Sequence, residues 1–168
     1  KEVLDTFAFH YDSKTKLPNS LFKKLLATKN YNSGMALIRQ IEFSLFDFIL
    51  HMDSQKNKVN LADKILENIR KETALMPVHQ NNKFQNSFAH IFSGGYAAGY
   101  YSYKWAEVLS ADAFMAFKEN KLVDRKVGSR FMKKILETGG SKPALDLFID
   151  FRGREPKIEP LLQSLGLK

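Results

Sequence analysis

Almost from the first residue, apolar side chains recur along this chain at spacings of three and four, the mark of one helical face. Val3, Leu4, Phe7 and Tyr11 predict a short amphipathic helix over residues 2–11. After the polar residues 12–15, Pro18 suits the first turn of a helix, and Leu21, Phe22, Leu25 and Leu26 supply the next stripe. Gly34 then opens the strongest pattern in the chain. Ile38, Ile41, Leu45, Phe48, Ile49 and Met52 form one stripe, while Leu37, Phe43, Phe46 and Leu50 cover much of the remaining circumference. A helix over 35–52 that is apolar nearly all round is predicted to be central.

Residues 53–60 read as a polar linker, and Ala62, Ile65, Leu66 and Ile69 mark an amphipathic helix that should end before Pro77. The pattern then breaks. Residues 76–95 show neither period and predict a long loop, with room for a short extended piece at 84–92. Beyond Gly94-Gly95, aromatic and alanine residues continue at helical spacing from Tyr96 to about Glu119, despite Gly99. A helix over 127–136 closes at Gly139-Gly140, Pro143 opens a short one through Ile149, and residues 158–165 make a last turn or two. There is no repeat. The expected architecture is all-α, a single helical domain over 1–168.

Composition narrows the class further. Hydrophobic residues make up 44% and charged residues 26%, and 14 Phe, 6 Tyr and 1 Trp give a chain of 168 residues ample core material, so disorder is excluded. No apolar run approaches the ~20 residues needed to span a bilayer, and no membrane partner is expected. The net charge of +8 raises nucleic acid as a partner. Its distribution argues against that, because residues 1–84 and 85–168 each hold 13 Lys/Arg and 9 Asp/Glu and no basic arm exists. Lys23-Lys24 and Lys133-Lys134 fit solvated helix faces. With no cysteine, disulfides, thiolate zinc sites and Cys nucleophiles are absent, and a reducing, cytoplasmic setting is favoured.

Self-contained catalytic motifs are missing too. None of His10, His51, His79 and His90 lies four residues from another, so there is no H-E-x-x-H zinc helix; phosphate loops, G-x-S-x-G elbows and EF-hand loops are also lacking. One segment departs from plain helix composition, the run His90-Ile91-Phe92-Ser93-Gly94-Gly95-Tyr96-Ala97-Ala98-Gly99-Tyr100-Tyr101-Ser102-Tyr103-Lys104-Trp105-Ala106-Glu107. On a helix begun near Tyr96, Tyr96, Tyr100, Tyr103 and Glu107 share a face, and three phenols fed by a Gly-rich turn could present several donors to one ligand. The alternative is a tyrosine-rich core stripe with its hydroxyls satisfied by backbone. Tyr101 and Trp105 lie on another face and read as packing. Arg39 with Glu42, and Asp47 with His51, have the spacing of intrahelical pairs, whereas Arg152 and Arg154 suit either a structural salt bridge or a peptide carboxylate.

The run 90–107 resembles the signature of the zinc oligopeptidase family that includes oligopeptidase A, thimet oligopeptidase and bacterial dipeptidyl carboxypeptidase. Asn32-Ser33-Gly34, Leu37-Ile38-Arg39-Gln40-Ile41-Glu42-Phe43 and Phe46-Asp47 resemble the helix that follows the metal-ligand segments in that family. Gly139-Gly140-Ser141-Lys142-Pro143-Ala144 and Phe151-Arg152-Gly153-Arg154-Glu155-Pro156 resemble its C-terminal stretch, so the likeness runs collinearly along nearly the whole chain. The resemblance implies a helical catalytic domain that cleaves short peptides with a zinc held by H-E-x-x-H and a downstream glutamate. Those ligands and the general-base glutamate lie upstream in the family, and this sequence starts after them. The chain is therefore expected to be a C-terminal fragment that carries no metal ligand and is inactive alone, with zinc in the parent and the missing N-terminal part as its partner. Residue by residue, the resemblance implies substrate contacts from His90, Gly94, Gly95 and Tyr96, and donation to the oxyanion from Tyr103 and Tyr100. A non-enzymatic helical module that grips peptides without cutting them is the alternative.

Overall fold

The computed structural model describes residues 1–52 and 60–168; apart from Asn60, the polar linker lies outside the described residues. Among these residues the chain is all-α, with no strand and an isolated antiparallel bridge between Phe9 and Lys16. It divides into two compact units, Lys1–Ser33 and Gly34–Lys168.

In the first unit the helix expected over 2–11 shrinks to α1, Leu4–Phe7. The chain then turns back on itself. His10 accepts the amides of Asp12 and Ser13 on Nδ1, at 3.4 and 3.2 Å, its own N–H donates to the Thr15 carbonyl at 2.8 Å, and Lys14 sits at φ 56°. These local hydrogen bonds give the backbone an alternative to the helix ladder, which is why the apolar spacing at Tyr11 misleads. Pro18 stands immediately before α2, Asn19–Lys29.

In the second unit α3, Ser33–Met52, packs on α4, Leu61–Thr73, and on the segment after it. Phe46 is wholly buried among Ile65, Leu66, Ile69, Phe88 and Ile91. The expected stripe of α3 is inverted. Ile41, Leu45, Phe48 and Ile49 are 37–41% exposed, whereas the face holding Phe43, Phe46 and Leu50 turns inward together with Glu42 and Asp47. Hydropathy cannot rank two apolar faces; partners can. Glu42 meets Arg39 at 2.7 Å and Arg70 at 3.0 Å, so its buried charge is paired. Arg39 also lies 4.3 Å over the Phe43 ring.

The segment 84–92 is not extended. It forms a 3₁₀ turn at Phe84–Asn86 and the short helix α5, Ala89–Phe92. Phe84, Phe88 and Ile91 are spaced by four and three, and the Phe84 ring stacks on Phe43 at 4.5 Å while Phe88 lies 4.7 Å from Phe84. Aromatic packing sets that period where composition suggested a loop.

A second core joins α6, Ser102–Lys118, to α7, Arg125–Phe131, and α8, Ala144–Arg152, through Ala113, Ala116, Val127, Phe148 and Phe151. Asp124 caps α7 by accepting the amides of Lys126 and Val127, at 2.7 and 3.2 Å, and the helix continues as a π turn over Met132–Leu136. Gly139–Ser141 follows as a 3₁₀ turn, and α9, Glu159–Ser164, packs on α6. Among the described residues no helix is long and apolar enough to cross a membrane.

Candidate substrate-contacting site

The Gly-rich turn begins with a close approach. A Cβ on Gly94 would lie 2.7 Å from the His90 carbonyl oxygen, and Gly95 takes φ +77°, so neither position accepts a side chain without movement. The Tyr96 amide donates to the same His90 carbonyl at 3.3 Å, and the Gly99 amide donates to the Tyr96 carbonyl at 2.9 Å. α6 accordingly starts at Ser102, not at Tyr96. Tyr96 still reaches the tyrosine face, because the turn folds it back beside the first turn of α6. Tyr96 and Tyr103 stack at 5.6 Å, and the His90 ring lies 5.6, 6.0 and 6.2 Å from Tyr96, Tyr100 and Tyr103.

The residues singled out from sequence thus converge on one surface, and they divide by exposure. Tyr96 and Tyr103 are 41% and 40% exposed and His90 is exposed as well, whereas Tyr100 leans into the first core, 5.1 Å from Phe88 and 5.8 Å from Phe43. The Tyr100 hydroxyl donates to Gln40 Oε1 at 2.9 Å, and burial raises its pKa. Hydrogen bonding with the Tyr96 phenol, then burial and the neighbouring phenols, push Tyr103 above the ordinary tyrosine value. Both therefore stay protonated at neutral pH, the Tyr100 proton being already given to Gln40. Glu107, expected on the same face, pairs with Lys104 at 2.7 Å.

Two residues that hold this surface had no signal in the motif itself. Gln40 fixes the Tyr100 hydroxyl, and Asp47, expected to pair with His51, does so at 2.9 Å but also accepts amides from the turn. Their mark in the sequence is faint: polar groups embedded in an apolar helix must find partners somewhere. Tyr101 packs on Phe48 at 5.7 Å, away from the other tyrosines, and Trp105 is half exposed. Arg152 and Arg154 are engaged by Glu119 and Asp112, which favours the salt-bridge reading over a free carboxylate anchor. A cleft of about 910 Å³ lies between α4 and residues 74–85 and includes none of the tyrosines. The tyrosine surface is an open wall.

A profile of Peptidase family M3 matches residues 1–167. The chain belongs to peptidase family M3. It is 44% identical over 167 residues to oligopeptidase A of Escherichia coli, covering 99% of this chain and 25% of that protein. The probable cytosolic oligopeptidase A of Arabidopsis thaliana is 43% identical over 171 residues, covering 99% of this chain and 24% of that one. Dipeptidyl carboxypeptidase of Escherichia coli is 33% identical over 167 residues, again 99% and 24%. The chain spans about a quarter of the length of these relatives. Among the described residues no three His, Asp or Glu side chains gather as metal donors, so these residues do not by themselves fit a zinc ion.

Removing the Tyr100 hydroxyl tests what its bond to Gln40 contributes. In a complete oligopeptidase, Tyr100→Phe should cost about 1 kcal/mol of stability through the lost Gln40 bond and lower kcat by no more than about tenfold, read by urea unfolding and steady-state kinetics.

Proposed function

We propose that this chain is the C-terminal part of the catalytic domain of a zinc-dependent oligopeptidase and forms one wall of the channel that holds short peptides. Tyr103 donates to the carbonyl oxygen as charge develops on it, with Tyr100 beside it in support. His90 hydrogen-bonds the peptide backbone near the scissile bond, and Tyr96, set by Gly94 and Gly95, contacts the substrate. The observation that carries the reading is the convergence of His90, Tyr96 and Tyr103 on one exposed surface, with ring centroids 5.6–6.2 Å apart. Zinc belongs to the family resemblance, and its donors would come from outside these residues. The chemistry of this chain is accordingly confined to hydrogen bonding and positioning, and the isolated chain is inactive. A cytoplasmic setting accords with a sequence free of cysteine, although a relative in Arabidopsis thaliana is named as chloroplastic or mitochondrial.

The test is a graft. Residues 1–167, joined behind the remainder of Escherichia coli oligopeptidase A, should restore hydrolysis of a quenched-fluorescence peptide, while the isolated chain cleaves none and retains no stoichiometric zinc after dialysis. A folded, metal-loaded chimaera that binds the peptide without cutting it would support the non-enzymatic alternative instead. Chelator-sensitive cleavage by the isolated chain would overturn the fragment reading.

A further inference from the structure

Asp47 is wholly buried on α3, yet its carboxylate serves a segment about fifty residues further along the chain. Oδ1 accepts the Ala98 amide and Oδ2 the Tyr100 amide, each at 2.9 Å. His51, one helical turn on, places Nδ1 2.9 Å from Oδ1 and 2.8 Å from the Asp47 carbonyl oxygen. Both oxygens are therefore committed, and two of their three partners belong to the turn over residues 96–101. That turn is held in an unusual conformation. Ala98 sits at φ +55°, a left-handed geometry that a residue bearing a Cβ disfavours and that persists only where the surroundings enforce it.

We infer that Asp47 is a positioning residue for the substrate-contacting surface: by accepting both amides, it fixes the left-handed turn that lays Tyr96 on Tyr103 and directs the Tyr100 hydroxyl to Gln40. The inference rests on the reading of Tyr103 as a donor to substrate. A buried carboxylate is costly unless every oxygen is satisfied, and charge-assisted bonds to backbone amides satisfy it well. Any other register of the turn would withdraw those amides and strand the charge. Ordinary pairing with His51 would occupy one carboxylate oxygen and would not reach the turn. Asparagine has nearly the same shape but a single acceptor oxygen, and its amide group would face a second donor. Asp47→Asn should therefore loosen the turn without opening a cavity.

The experiment compares Asp47→Asn, Tyr103→Phe and the double variant in a complete oligopeptidase chain. Asp47→Asn should lower kcat by about 10²-fold, the order expected for a misplacement near 1 Å, and should also raise KM, because the same turn sets Tyr96. The double variant should be scarcely worse than the more damaged single variant, because both changes remove the same interaction. Adding Ala98→Gly to Asp47→Asn should recover part of the loss, since glycine keeps φ +55° without a Cβ penalty. Amide hydrogen exchange should show Ala98 and Tyr100 losing protection in Asp47→Asn while α8 keeps its own. Losses of kcat that multiply in the double variant, or unchanged protection at the two amides, would overturn the inference. If Tyr103→Phe proves silent, the donor reading fails by itself, and exchange at Ala98 and Tyr100 still decides whether Asp47 holds the turn. Should Asp47→Asn not fold, the unsubstituted enzyme decides: these two amides must be protected well beyond those of Ala97 and Tyr101 in the same turn, and equal exchange rejects the role.

Discussion

Tyr103→Phe, made in a complete oligopeptidase carrying this segment, should lower kcat by about 10²- to 10³-fold and leave KM near its starting value. The hydroxyl stands on an exposed surface beside Tyr96 and His90, and its proton is held more tightly than that of an ordinary phenol, so it is present at any pH near neutrality. A neutral donor of this kind interacts weakly with a ground-state carbonyl and more strongly as the oxygen gains negative charge, so its loss raises the barrier without weakening binding. Tyr101→Phe should be nearly silent, because that ring faces Phe48 on the other side of the segment. Tyr96→Phe should raise KM if, as proposed, its phenol contacts the bound peptide. Steady-state kinetics on one short peptide separates the three, once metal content and Tm have been matched. Wild-type kcat in Tyr103→Phe, with a loss in Tyr101→Phe, would reverse the assignment of faces.

What sequence could and could not convey follows from the range of the interactions. Tyr100 and Tyr103 lie three apart, and although Tyr100 belongs to the turn before α6, the turn preserves that spacing and leaves their rings 5.2 Å apart. Tyr96 joins them for a different reason. A continuous helix would place it four residues before Tyr100 on the same face; the Gly94-Gly95 turn and the left-handed Ala98 place it there by folding back. The face was legible, but its construction was not. The inverted burial of α3 has a similar origin, because a stripe of Ile and Leu looks at least as ready for burial as one containing Glu42 and Asp47. The decision comes from Arg70 and from the amides of Ala98 and Tyr100, which no local spacing announces. Ionisable groups set among apolar neighbours are the usable signal, since such groups are seldom buried without a dedicated partner. Phe84, Phe88 and Ile91 were open to the same kind of reading, for their spacing of four and three is helical despite the surrounding polar residues.

The most severe loss of stability should come from Asp112. Its carboxylate is wholly buried on α6, where it accepts two bonds of 2.6 Å from Arg154 and one of 2.8 Å from the Lys157 amide, with Arg152 Nε 3.4 Å away. Arg152 in turn donates twice to Glu119, each at 2.8 Å. This network ties the segment 152–157 to α6, and Arg152 is buried nearly as deeply as the carboxylate. Asp112→Ala would take the shared carboxylate from Arg154 and the Lys157 amide and leave Arg152 with Glu119 alone; the loss should approach, without exceeding, the roughly 3–5 kcal/mol of a fully broken buried pair. Urea unfolding of the chain should register the drop, and Arg154→Ala should follow it at smaller size, because the Lys157 amide and Arg152 still serve the carboxylate. Burial pushes the Asp112 pKa up, but the bonds from Arg154 and Lys157 and the charges of both arginines outweigh it, so the carboxyl titrates below its ordinary value. Glu119 is lowered as well, first through its hydrogen bonds with Arg152. A carboxylate whose folded pKa is depressed contributes stability that is fully present above its unfolded pKa and disappears as pH falls through the folded one. The unfolding free energy should therefore hold down to about pH 4 and decline below it, and Asp112→Ala should decline less steeply over the same range. Parallel acid slopes for the two proteins would show that the buried carboxylate is not where the acid sensitivity resides.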